Sequence, residues 1–203
     1  ASQGRGALFP TTTPSLSSSS GWTITDAGTA TGAVAGGAFT ATILASGSGA
    51  VLDTSRAIRA ISATQPCTVL FSCSISLSGF GGTYGGIRLQ YGAIVVLILL
   101  ANQGTLGLDD SVGYTALATS QPIDGTLWVR ADLDGNRITV WRAIGTTTTA
   151  PTTPWIFCST VTLTSTVGAL TDFGPFGSNN SGTTLPSDVT INVRNVSVTQ
   201  GVT

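Results

Sequence analysis

Residues 126–143 read TLWVRADLDGNRITVWRA. Two runs in which an apolar residue recurs at every second position meet at Asp134-Gly135-Asn136, which is the pattern of two antiparallel strands joined by a two-residue turn. The tip is Asp134-Gly135 or Gly135-Asn136, and both choices leave the faces unchanged. Leu127, Val129, Ala131, Leu133, Ile138 and Val140 then share one face, while Trp128, Arg130, Asp132, Arg137, Thr139 and Trp141 share the other. One face belongs to a core, and the other carries two tryptophans among charged and hydroxyl groups.

The same period of two recurs on both sides of this hairpin. Pro66 to Ser78 places Cys67, Val69, Phe71, Cys73, Ile75 and Leu77 on one parity and a mostly hydroxyl set on the other. Phe39, Ala41 and Ile43 mark an earlier strand. Ile87, Leu89 and Tyr91 lead into the apolar run Ala93 to Ala101, which reads as a strand buried on both faces. Near the C-terminus Val189, Ile191 and Val193 hold one parity and Val196 and Val198 the other, so a β-bulge or bend is expected near Arg194-Asn195. No stretch carries a helical period. The 203 residues fit a single all-β core, a two-sheet antiparallel sandwich over residues 21–203. Residues 1–20, rich in Gly, Pro, Thr and Ser, offer little to bury and read as an extended N-terminal arm.

Composition narrows function. The chain contains no Glu, Lys, His or Met; its nine acids are all Asp and its eight bases all Arg. General acid–base chemistry, most metal sites and most activated nucleophiles draw on the missing types, so the expectation is a protein that is not an enzyme. Charged residues make up 8% and the net charge is -1, which leaves no basic footprint for nucleic acid. The nine-residue apolar run is far short of the roughly 20 residues of a membrane-spanning helix, so no membrane insertion is expected. A weakly charged, Thr-rich surface suits a protein locked into an assembly. Cys67, Cys73 and Cys158 have no metal-ligand spacing. Cys67 and Cys73 would lie about 20 Å apart on one strand, so reduced thiols and folding in a reducing cytoplasm are expected. Ala1 to Arg5 lead into Pro, Thr and Ser rather than an apolar segment, so no secretory leader is expected.

A strand opened by Trp128, the Asp134-Gly135 tip, the returning apolar strand and a final VTINVRNVSVT at residues 189–199 together resemble the concanavalin A-like or laminin-G-like jelly-roll sandwich. Such modules occur in lectins, glucanases and surface proteins of bacterial viruses. The Ala, Gly, Thr and Ser bias with an Arg-only base set resembles virion modules of phages from high-GC hosts. The resemblance implies a jelly-roll and a non-enzymatic virion protein of tail, fibre or head decoration. Its partners would be other virion proteins, further copies of itself and host-surface glycans. A carbohydrate-binding module of a secreted bacterial protein is the alternative, and a degenerate glycoside hydrolase the third. Glucanases of this fold use a glutamate pair, which this chain lacks.

Four residues are the candidate sugar-binding set: Trp128 and Trp141 as aromatic surfaces, with Arg130 and Asp132 to hydrogen-bond hydroxyls. Tyr84, Tyr91 and Tyr114 would supplement them. The same face would also suit a second sheet, the arm or a neighbouring subunit. No cofactor is expected; Asp109 and Asp110 are weak candidates for calcium, and ordinary turn chemistry is the preferred reading of them. Asp109-Asp110 and Asp132/Asp134 are the acids that a hydrolase would have to use. Trp22 and Trp155 read as plugs at sandwich edges, and residues 145–154 as an extended exposed loop. In the arm, Arg5, Phe9, Pro10 and Pro14 are the candidate assembly contacts.

Overall fold

The computed structural model describes residues 11–12, 15–45, 53–63, 66–78, 82–110, 112–152, 154–163, 169–180 and 185–200. Within them the chain forms strands and no helix. The strands are β1 (Thr11–Thr12), β2 (Thr23–Ala27), β3 (Ala30–Ala35), β4 (Ala38–Ile43), β5 (Asp53–Ala63), β6 (Cys67–Ile75), β7 (Thr83–Tyr91) and β8 (Ile94–Ala101). They continue with β9 (Leu106–Asp109), β10 (Tyr114–Ala118), β11 (Asp124–Asp134), β12 (Arg137–Ile144), β13 (Ile156–Thr162), β14 (Leu170–Asn179) and β15 (Val189–Gln200). Sheet I runs β13-β12-β11-β6-β15-β4-β3 with β1 beside β15, and sheet II runs β10-β9-β8-β7-β14-β5-β2. Neighbouring strands pair antiparallel throughout. The two sheets stack as a jelly-roll sandwich.

The hairpin of β11 and β12 keeps the faces read from its sequence. Asp134 pairs with Arg137, so Gly135 and Asn136 form the tip, and Gly135 takes the φ of 60° that a tight hairpin turn asks of its first residue. Leu127, Val129, Ala131, Leu133, Ile138 and Val140 are all buried in the core between the sheets. β6 likewise buries Cys67, Val69, Phe71, Cys73 and Ile75. Both strands therefore pack their apolar parity against sheet II and turn the other outward.

The phase change in β15 is a bulge. Its register against β6 shifts between Arg194 and Ser197, and Asn195 sits at φ 58°, a conformation Asn tolerates better than most residues. The extra residue lets Val193 and Val196 both face inward, and both are buried.

Two expectations change. The first concerns the arm. Arg5, Phe9, Pro10 and Pro14 lie outside the described residues, but Thr11 and Thr12 pair with Thr199 and Val198 of the same chain. Leu16 is buried in the core, and the Trp22 Nε1 donates to the Ser15 carbonyl at 2.9 Å. Residues 15–20 thus pack with the sandwich: one leucine among hydroxyls is enough to anchor them. The second concerns β8, which is not buried on both faces. Val96, Ile98 and Leu100 are fully buried, whereas Val95 and Leu97 are half-buried on the outer side.

Where the sheets meet at their centre, Ile191 of β15 lies over two glycines of sheet II. A β-carbon on Gly85 would come 2.3 Å from the Ile191 Cγ2, and one on Gly177 would come 2.7 Å from the Ala41 Cβ and 3.0 Å from the Ile191 Cδ1. Gly85→Ala is expected to destabilise by about 1–3 kcal/mol through overpacking, and Ile191→Ala by about 2–5 kcal/mol through the cavity it leaves. Urea unfolding of both variants measures this; a neutral Gly85→Ala would show that the sheets have room to separate there.

Candidate functional site

The outer face of sheet I holds the four residues expected to bind sugar, but in unequal states. Trp128 is only 3% exposed: its Nε1 donates to the Thr146 carbonyl at 2.7 Å, and the loop after β12 closes over it. That loop is tied back by Gly145 N to the Thr126 carbonyl and by Asn195 Nδ2 to the Thr147 carbonyl at 3.0 Å. The Thr-rich stretch thus keeps its side chains exposed while its backbone forms a cap. The two tryptophans do not make one open platform.

Trp141 is half-buried and meets Phe157 edge-on, with ring centroids 5.4 Å apart. Arg130 lies directly across from it on β11, and its Nε donates to the Asp132 Oδ1 at 2.8 Å. Thr68 donates to the same carboxylate oxygen at 2.8 Å. Asp132 is therefore held by two donors, and a shallow groove beside it is lined by Asp134, Arg137, Thr139 and Trp141. Trp155 is half-buried on this face, lining a second groove with Arg130 and Leu70, and is not an edge plug. Trp22 is buried against Phe173 at 5.9 Å, as a plug would be.

Sheet II presents a different surface. The outward parity of β7 is Tyr84, Gly86, Arg88 and Gln90, opposite Leu99, Leu97 and Val95 of β8 and Phe176 and Ser178 of β14. Next to β14, Arg56 and Thr54 of β5 face the same way, opposite Phe176 and Ser178. These elements enclose a pocket of about 220 Å³ lined by Thr54, Arg56, Tyr84, Arg88, Val95, Leu97, Phe176 and Ser178. Tyr84 and Phe176 meet edge-on at 6.0 Å. Val95 and Leu97 supply its apolar floor, which is why the outer parity of β8 is not polar.

The polar groups of this pocket are already arranged. Arg88 Nη1 donates to the Asp172 Oδ1 at 2.9 Å, and Arg88 Nη2 donates to the Gln90 Oε1. The Thr54 and Ser178 hydroxyls bond each other at 2.9 Å. Among the described residues Arg56 has no such partner: its Nε is buried and makes no hydrogen bond. Further along the same face Tyr114 is half-exposed opposite Asp109, and its ring lies where a β-carbon on Gly107 would come within 2.4 Å. Burial, and then the charge of Asp109, push the Tyr114 phenol up. Tyr91 faces the other way and is buried in the core, so Tyr84 and Tyr114 are the tyrosines left on an outer face.

Asp109 and Asp110 do not converge. Asp110 Oδ1 accepts from the backbone N–H groups of Val112 and Gly113 at 3.1 Å each, which is turn chemistry. Among the described residues no cluster of three or more acidic or thiol side chains is placed to hold a metal ion.

No protein-family profile matches the chain, and no curated protein sequence matches it. Solved structures with a similar fold include a sialidase (12% identity, TM-score 0.59), matched over 89% of this chain but 17% of that one. This chain thus spans about a sixth of that protein. A beta-1,3-glucanase from Mycobacterium marinum is similar over 96% of this chain and 100% of its own, at 12% identity and TM-score 0.56. The Emp47p carbohydrate recognition domain is similar over 98% and 100%, at 11% identity and TM-score 0.54. The fold is that of the lectin-like jelly-roll β-sandwiches.

All three cysteines are free; Cys67 and Cys73 are buried and Cys158 is half-buried. Burial pushes Cys67 up to about 11, with Asp132 adding to it. It pushes Cys73 up to about 12, with Arg194 acting the other way. Maleimide at pH 7.5 is expected to label Cys158 alone in the native protein and all three thiols after denaturation. Because the folded state keeps protons that the unfolded chain releases near pH 9, stability is full below that pH and falls as pH rises toward 11 and 12. Cys73→Ala is expected to flatten that decline in alkaline urea titrations, and an unchanged slope would count against it.

Proposed function

We propose that the chain is a non-catalytic carbohydrate-binding module and that the pocket on sheet II is its binding surface. The observation that carries this reading is the half-buried Tyr84 ring, backed edge-on by the buried Phe176, beside a prearranged Arg88–Asp172–Gln90 cluster. Sugar rings pack an apolar face against aromatic side chains and present hydroxyls at their rim, so a site needs both surfaces adjacent and fixed. The fold supports the reading by analogy, since Emp47p carries a carbohydrate recognition domain on it.

The acids on this face support binding rather than hydrolysis. Asp172 is ion-paired with Arg88, and Asp109 stands on β9, three strands away from β14. At the ordinary strand spacing that is about 14 Å between backbones, against about 5–9.5 Å between the carboxyls of glycosidases. On sheet I, Asp132 is engaged by Arg130 and Thr68. A place on a virion has the chain's composition as its support, and the described part of the N-terminal segment is paired within its own chain.

Tyr84→Ala is expected to weaken binding of a recognised oligosaccharide about tenfold, close to 1.4 kcal/mol, in calorimetric titration. Trp141→Ala is expected to leave it within twofold. The reverse result would move the site to sheet I. Release of new reducing ends from the bound oligosaccharide would overturn the non-catalytic reading.

A further inference from the structure

The two arginines of the sheet II pocket are not equally paired. Arg88 has its counter-ion in Asp172, whereas Arg56 has no carboxylate partner among the described residues. Its Nε is fully covered yet bonds to nothing, while the residue as a whole is half-buried and lines the pocket. With Nε out of reach of a ligand, an acceptor brought into the pocket would meet the terminal Nη groups of this cation.

Its neighbours leave room for one kind of acceptor. Opposite Arg56 stand Phe176 on one side and Thr25 on the other, neither of which is an acid. The Thr54 and Ser178 hydroxyls beside it are bonded to each other. The pocket is about 220 Å³, below the roughly 300–1,000 Å³ of sites for drug-sized molecules, and so takes a single ring-sized unit of a longer chain. Planar guanidinium pairs best with a planar two-oxygen anion. We propose that the sheet II pocket selects acidic saccharides, with Arg56 receiving the carboxylate of a uronic acid residue while Tyr84, backed by Phe176, meets its ring. This rests on the pocket being the sugar-binding surface.

The test uses the full chain and a panel of polyuronate oligosaccharides, each beside its methyl ester, which keeps the shape and removes the charge. Calorimetry at low ionic strength is expected to show at least one acid binding tenfold or more tighter than its ester, with affinity falling as salt rises. Arg56→Gln is expected to abolish the advantage of the acid and bring acid and ester to parity in a protein that still melts cooperatively, and Tyr84→Ala to weaken both forms. Equal binding of acid and ester by the unaltered protein, or a loss in Arg56→Gln shared by both forms, would overturn the charge selection. The sugar-binding reading would survive that result if Tyr84→Ala still weakened both. Binding of no member of the panel, acid or ester, overturns both.

Discussion

The sandwich depends on how closely its two sheets approach under Ile191. Sheets ordinarily stack about 10 Å apart with side chains from both interdigitating. Here one branched side chain from sheet I fills the space above Gly85 and Gly177, which contribute none. Ile191 is fully buried, and its strand β15 is an interior strand of sheet I, between β6 and β4. Gly85 and Gly177 pair with each other across β7 and β14, so the contact fixes the middle of both sheets at once. Those same two strands carry Tyr84 and Phe176 on their other face, one residue along from the glycines. The depth of packing inside thereby sets the position of the aromatic pair outside.

Alternation made most of the core readable. In β6, β11 and β12 the inward residues are apolar at every second position and the intervening ones mostly polar, Leu70, Trp128 and Trp141 apart, so the inward face follows from the period. The bulge in β15 was equally legible, because only an extra residue lets Val193 and Val196 both turn inward. Local pattern says nothing about what passes over a strand, and this is where expectation and structure part. Trp128 has the outward parity read for it, yet a loop some twenty residues later in the chain covers its ring. Leu16 stands alone among hydroxyl residues in a segment that offered little to bury, and it is buried against the core.

The sheet II pocket was the part hardest to read. Its residues come from β5, β7, β8 and β14, spread over 54–178, and only the sheet order brings them together. A signal did exist. Tyr84, Gly86, Arg88 and Gln90 form a parity with an aromatic, a cation and an amide, beside a strand whose own outward parity is apolar. An apolar outward row suggests full burial when read alone; beside such a polar row it marks a floor. Arg56 could not have been singled out in this way, since its lack of a partner is a property of four strands and not of one.

The pairing of β1 with β15 has a consequence for how the unit sits in space. Thr11 stands beside Thr199, so the described stretch of chain comes in and goes out at one spot, on sheet I. The sheet II pocket opens from the opposite side of the sandwich. A tether attached at that spot would hold the domain by its back and leave the pocket facing away, free to meet a surface. Because both ends share one place, such a domain could also be set into a loop of a larger protein with little disturbance to its host.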